Sequence, residues 1–288
     1  MNGPSRALLP DGRLHLQHGP IELVIEARGA PQDTRAAYEQ AWRRFQDVLE
    51  ALVAEQPLLR TALGAAYPLA SGPVARRMVA ALWPYRAAFV TPMAAVAGAV
   101  ADEMLEAMLA GRQLYKAYVN NGGDIALYLA PGQSFEIGIV NDPQRPAPDA
   151  ALRIASLDAS RGIATSGWRG RSQSLGIADA VSVLARTAAT ADAAATLVAN
   201  AVDVDHPAIR RLPARHVKED SDLGDLPVTV AVGTLPRDAV EAALERGLRA
   251  ALDFKARGLI GSAYLSSQGM TRTTDAAVRL PRALPRWH

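Results

Sequence analysis

The chain contains no cysteine. Disulfides, cysteine nucleophiles and thiolate metal sites are excluded together. Long apolar runs are missing as well. The longest, Ala94 to Ala101, falls far short of the roughly 20 residues that span a bilayer. The N-terminal MNGPSRALLPDGRLHLQ lacks the continuous apolar stretch of a secretory signal. A cytoplasmic protein with no membrane partner is therefore expected. There is no excess of one charge either, since 31 basic residues face 29 acidic ones. Even with a pI near 9.0, that balance predicts no nucleic-acid partner.

Missing motifs narrow the chemistry further. No Gly-Lys-Ser/Thr occurs, so there is no Walker loop, and no GxSxG, so there is no nucleophile elbow. His15, His18, His206, His216 and His288 include no pair with HExxH-type spacing, so a zinc site is unsupported.

What is present suits a folded enzyme-sized chain. Its 288 residues are 49% hydrophobic and 21% charged, ordinary for a globular protein. Alanine supplies much of the apolar share, which favours helix and thins the bulky core. No linker or short repeat forces a split, so a single large domain over 1–288 is expected.

Ile21, Leu23 and Ile25 alternate with Glu22, Val24 and Glu26 inside a strand predicted over Leu14–Ala27, broken at His18-Gly19-Pro20. Ala41, Phe45, Val48, Leu49 and Leu52 predict a helix over Thr34–Glu55. Thr91-Pro92 reads as the start of a helix reaching Leu109, with Val100, Met104 and Met108 along one side. Most acids on such a helix face solvent, although Asp102 shares the row of Gly98.

Further strands are predicted at 135–140, 152–157, 162–165, 180–184 and 228–232, and helices at 191–202 and 237–256. Asn141 to Pro148, His216 to Pro227 and the tail from Arg279 read as loops. Interleaved strands and helices without regular βαβ spacing predict the α+β class, with mixed or antiparallel sheets packed against helices.

Three polar clusters stand out. In Asn120-Asn121-Gly122-Gly123-Asp124 the glycines permit positive φ, which suits a hairpin turn or a backbone that approaches a ligand. The Ile125-Ala126 continuation lacks the acidic-aromatic half of a GGDEF hairpin. Thr165 and Ser166 end an apolar strand ahead of Arg169 and Arg171, a set of hydroxyl and guanidinium groups suited to phosphate oxygens or simply a glycine-rich loop. Asp192 and Thr196 share one helix face, where they could hold Mg²⁺ or, for Asp192, cap the helix. His18, in its strand break, is a candidate for the edge of a pocket.

Taken in order, Gly98 and Asp102, the NNGGDI turn, Ala164-Thr165-Ser166-Gly167, and the ADAxxT run from Ala191 to Thr196 resemble the ApbE superfamily over about 91–202. Its founding members are FAD:protein FMN transferases, which cleave FAD with Mg²⁺ and attach FMN to a target threonine. The resemblance implies a T-fold-like architecture and a flavin nucleotide, FAD or FMN, as ligand. It implies that Asp124 contacts the nucleotide, that Asp192 and Thr196 bind the metal, and that a strand carbonyl near Leu127 completes the metal shell. Thr165 and Ser166 would line the same pocket.

The transferases carry an H-x-x-x-P-x-x-G segment between the Thr-Ser-Gly and ADAxxT motifs. Here the Ser172–Ala180 run replaces it and introduces Asp179. The chain thus resembles a side branch of the superfamily. The expected activity is a Mg²⁺-assisted reaction at a phosphoryl centre, with Arg169 or Arg171 on phosphate. Two alternatives stand beside it: a non-catalytic flavin or pterin binder, and an enzyme of pterin-type cofactor synthesis with Asp179 or Asp124 as general base. The ligand expected is a small nucleotide or heterocycle, and homo-oligomerisation is left open.

Overall fold

The computed structural model describes residues 3–141 and 150–275. The loop expected after Asn141 and the tail from Arg279 lie outside the described residues. The strands, numbered along the chain, are β1 (Ser5–Leu8), β2 (Leu14–His18), β3 (Ile21–Gly29), β4 (Leu114–Asn121), β5 (Asp124–Leu129), β6 (Ser134–Ile139) and β7 (Ala150–Ala155). They continue as β8 (Gly162–Ser166), β9 (Ala180–Ala185), β10 (Ile209–Pro213), β11 (Pro227–Val232), β12 (Ser262–Ser267) and β13 (Met270–Thr273). The helices are α1 (Pro31–Phe45), α2 (Val48–Ala54), α3 (Gln56–Leu59), α4 (Pro73–Leu82), α5 (Val96–Leu109), α6 (Ala188–Ala201), α7 (Ala214–Val217) and α8 (Arg237–Ala256). This is the expected α+β class, with antiparallel sheets and helices. None of the described helices is long and apolar enough to cross a membrane.

The chain forms two compact units, each assembled from separate stretches. One takes the described residues of 1–133, 155–164 and 185–193, and the other takes those of 134–154, 165–184 and 194–288.

In the first unit β1 to β5 follow one another as antiparallel neighbours, and the start of β8 pairs with β5. The pleat sets which side chains reach the core. Leu14, Ile25, Val119 and Ala126 occupy one row across four strands, and all are buried. The next row reads Leu16, Leu23 and Asn121, so the alternation that buries Val119 also carries Asn121 to the core side. Over β4 and β5 lies α5, burying Val100, Met104 and Met108 as the spacing predicted.

Several boundaries differ from expectation. The helix expected over Thr34–Glu55 breaks at Gln46-Asp47 into α1 and α2. Phe45 and Val48 are both fully buried, so the apolar stripe runs through the break and periodicity cannot register it. The helix expected from Thr91 opens with a single 3-10 turn, Pro92–Ala95, because Thr91 is extended and proline then tightens the first turn. The α-helix proper begins at Val96, which makes Ala97 and Gly98 part of its first turn.

Of the acids of α5, Glu106 faces solvent as expected, but Glu103 and Asp102 do not. Glu103 is buried and bonds Arg44 at 2.8 Å and Arg77 at 3.2 Å. Asp102 is half-buried. In addition α6 starts at Ala188, three residues ahead of expectation, because Thr187 supplies the N-terminal cap by accepting from the Thr190 N–H at 3.2 Å.

In the second unit β9, β12 and β13 are antiparallel neighbours, β10 pairs with β11, and β6 with β7. Helix α8 packs on β12 and β13. Strands β10, β12 and β13 were not anticipated, and neither was α7 in the segment read as a charged loop. Across the C-terminal end of α6 lies the Ser172–Ala180 run. There Asn200 Oδ1 accepts from Leu175 N–H at 2.9 Å, and Ile177 N–H reaches Val202 O at 2.8 Å.

Candidate functional site

The NNGGD stretch is a two-residue hairpin turn. Asn121 pairs with Asp124, and Gly122 and Gly123 between them have φ of 65° and 111°. Positive φ at both positions is the primed turn that matches strand twist. The two asparagines have different duties. Asn120 Oδ1 accepts from Gly123 N–H at 2.8 Å and closes the turn. Asn121, on the core side, donates its Nδ2 to Ala97 O at 3.0 Å and so ties the turn to the first turn of α5. Asp124 opens β5 in a half-buried position.

That first turn of α5 is also where Asp192 points. Gly98 N–H donates to Asp192 Oδ2 at 3.0 Å, and Ala97 N–H adds to the hold on the same carboxylate. The relation runs the other way too. Ala188 and Ala189, the first residues of α6, donate their N–H groups to Asp102 Oδ1 and Oδ2, each at 2.9 Å. Each helix therefore carries the acid that satisfies the orphan N–H groups opening the other. Gly98 makes the approach feasible, since a Cβ there would lie 2.3 Å from Ala188 O. The Gly98/Asp102 spacing thus has a packing reason on both members.

Electrostatically the pair is costly. Burial pushes the Asp192 carboxyl up to about 7, against the pull of the Gly98 and Ala97 N–H groups, and the neighbouring Asp102 adds to the rise. Asp102 is raised by burial as well, opposed by the Ala189 and Ala188 N–H groups and by Arg77. Thr196 lies one turn further along α6 and is half-buried. Among the described residues no group of three or more His, Asp or Glu is placed to hold a metal ion.

The other expected residues of this unit are placed as follows. Leu127 sits in mid-β5, opposite Tyr118, with its N–H bonded to Arg161 O at 2.8 Å. His18 is 4% exposed and lies under α1 and α2, edge-on to Phe45 at 6.4 Å between ring centroids. Its Nε2 is 3.5 Å from Glu50 Oε1.

In the second unit Thr165 is exposed, and its hydroxyl lies 2.7 Å from that of Ser182. Ser166 ends β8 half-buried, and Arg171 is exposed. Asp179 has both oxygens engaged. Oδ1 accepts from Arg169 Nε at 2.8 Å and Trp168 Nε1 at 3.3 Å, and Oδ2 accepts from Gln268 N–H at 2.6 Å.

The structure thus joins Asn121 and Asp192 on one peptide unit, and Arg169 to Asp179. Sequence reasoning missed Trp168, Ser182, Gln268 and the capping role of Asp102. An indole between the Thr-Ser-Gly strand end and two arginines was the available signal for Trp168. The Gln-Gly pair of a tight turn was the signal for Gln268.

Two helices capped by each other's acids, with a glycine turn tied to the start of one of them, are the features around which this α+β chain builds its candidate site. The chain belongs to the family described as AbpE bacteria, whose model matches residues 6–273. Among curated relatives, a UPF0280 protein of Methanothrix thermoacetophila is 38% identical over 161 residues, covering 54% of this chain and 65% of its own length. One from Methanosarcina acetivorans is 34% identical over 189 residues, covering 65% of this chain and 72% of its own. The match thus spans slightly under two thirds of the Methanothrix relative. An ApbE protein structure from Thermotoga maritima aligns over 93% of this chain and 96% of that one, at 13% identity and a TM-score of 0.49.

Proposed function

We propose that the chain is a divalent-cation-dependent enzyme acting on a flavin nucleotide or a related phosphate-bearing heterocycle. The observation that carries this reading is Asp192, a carboxylate whose ionised form is held by backbone N–H groups while burial and Asp102 oppose it. Among the described residues no positive charge contributes to holding this acid, and a divalent cation would supply one. Family membership supports the reading.

The chemistry of the donors supports such an ion. Asp192 and the Thr196 hydroxyl, one turn apart on α6, are hard oxygen donors, and a strand carbonyl near Leu127 would add a third. Mg²⁺ favours oxygen and keeps water and ligand phosphate for its remaining positions, so a three-carboxylate cage is not required. When bound, the ion would offset charge on phosphate oxygens. The chain's own residues do the rest. Asn120 and Asn121 fix the turn, Gly122 and Gly123 let a ligand approach its backbone, and Asp124 orients the nucleotide. Considered by itself, the second unit carries Thr165, Ser166, Arg169 and Arg171, hydroxyl and guanidinium groups suited to phosphate oxygens.

The finer reading is cleavage of FAD with release or transfer of FMN. Incubating the protein with FAD and Mg²⁺ and following FMN by chromatography tests it. FMN formation that depends on Mg²⁺ and drops at least roughly 100-fold in Asp192→Ala is expected for loss of a metal ligand. Equal turnover in that variant would sink the reading.

A second reading is a flavin or pterin binder without turnover. The bonding of Asp179 favours it, since both carboxylate oxygens are already engaged by Arg169, Trp168 and Gln268. Ligand-induced thermal stabilisation with no product formation distinguishes this case.

A further inference from the structure

We infer that Trp168 and Arg169 form a ligand-facing pair in the second unit, a flat ring and a guanidinium that together take a phosphate-bearing heterocycle, and that Asp179 is the residue positioning them. The inference deepens the proposed function and rests on it for the class of ligand.

Three donors from two separate segments meet on one carboxylate. Trp168 Nε1 and Arg169 Nε donate to Asp179 Oδ1 at 3.3 and 2.8 Å, and Gln268 N–H donates to Oδ2 at 2.6 Å. With both oxygens engaged by donors from two segments, the carboxylate is placed to hold those groups in position. What it holds is a stacked pair. Arg169 Cζ lies 4.7 Å from the centroid of the Trp168 ring, within cation–π range. Arg169 is exposed and Trp168 half-buried. Arg169 uses Nε for Asp179, an arrangement that leaves its Nη edge for a second acceptor such as a phosphate oxygen.

Behind the pair the backbone is strained at one place. Gln268 has φ of 45°, and among the described residues no other non-glycine residue has positive φ. A side chain in this region costs energy and persists only where the surroundings impose it. Here they do. Besides the bond to Asp179, Gln268 Oε1 accepts from Leu235 N–H at 3.1 Å and its Nε2 donates to Gly233 O at 2.8 Å. The main chain of the clamp is fixed as well, with Asp179 N–H on Ser266 O at 2.9 Å and Trp168 N–H on Ala178 O at 3.0 Å.

Arginine stacked on a surface tryptophan is common. Anchoring of that pair by a saturated carboxylate, itself held by a strained and doubly pinned residue, is not needed to bury apolar surface. It pre-orders a ring and a cation before a ligand arrives, which lowers the ordering cost of binding.

The test titrates the full chain, with Mg²⁺, using pyrophosphate, ADP, riboflavin and FAD, followed by calorimetry and tryptophan emission. FAD and ADP are expected to bind and to quench emission, with the quench lost in Trp168→Phe. Arg169→Met and Asp179→Asn should each weaken FAD and ADP roughly 10-fold or more, while leaving riboflavin, which has no phosphate, unchanged. If Asp179→Asn does not fold, the exposed Arg169→Met decides.

FAD bound equally by wild type and both variants overturns the inference and leaves the proposed function standing. Binding of ADP and pyrophosphate through Arg169 without FAD binding upholds the pair and overturns the flavin reading. No binding of any probe overturns both.

Discussion

At the scale of single residues, Asp192 carries the most consequence. Its carboxyl is pushed up to about 7 from the usual 3.8, chiefly by burial. A carboxyl raised on folding stabilises the native state fully below pH 4 and loses that contribution as pH climbs through about 7. Without divalent cation, Asp192→Asn should therefore gain stability relative to wild type between pH 4 and 7. The slope is at most about 1.4 kcal/mol per pH unit for one proton. Urea unfolding at several pH values measures the gap, and a gap that does not change with pH would contradict the burial argument. Mg²⁺ should flatten the slope by supplying the missing positive charge. The shared face of Asp192 and Thr196 was legible in the sequence, because helical spacing is local. The partner of Asp102 was not. Its bond to Ala188 spans 86 positions, and no periodicity reaches that far.

Among elements, the crossing of α5 and α6 depends on Gly98. Two effects of Gly98→Ala oppose each other. Helix propensity favours alanine by about 1 kcal/mol. Packing opposes it, since the new Cβ would meet Ala188 O at 2.3 Å and Ala189 N at 2.7 Å, backbone atoms that cannot rotate aside. Overpacking of this kind costs about 1–3 kcal/mol, and parting the helices also loosens two acid caps. Net destabilisation by more than about 1 kcal/mol is expected in thermal or urea unfolding. A stabilised variant would show that the helices separate freely.

The same elements mark where pattern reading works. The NNGGD hairpin was readable because its chemistry lies in adjacent residues. The break between α1 and α2 was hidden because Phe45 and Val48 face one core across it. The start of α6 was misplaced because alanine carries no boundary signal, while Thr187 and Thr190 did.

Over the whole molecule, the α+β class and most strands of the first unit followed from alternation and turn residues. The division into two units did not, because the chain leaves and re-enters each one with no linker to mark the passage. Strands β12 and β13 escaped notice for a related reason. Ser262–Ser267 carries serines in buried positions, and Ser266 and Ser267 are 2% and 0% exposed, so polarity hides a strand that tertiary packing buries. The mutual caps also bear on how this chain acquires order. Gly98 and Asp192 are separated by 94 positions, so neither helix start is completed until that long loop has closed. Closing it commits both starts together and raises the share of distant contacts that folding must wait for. Amide hydrogen exchange reads this directly. The N–H groups of Gly98, Ala188 and Ala189 should open with one common free energy, and a cation that draws Asp192 away should speed exchange at Gly98 while sparing Ala188 and Ala189.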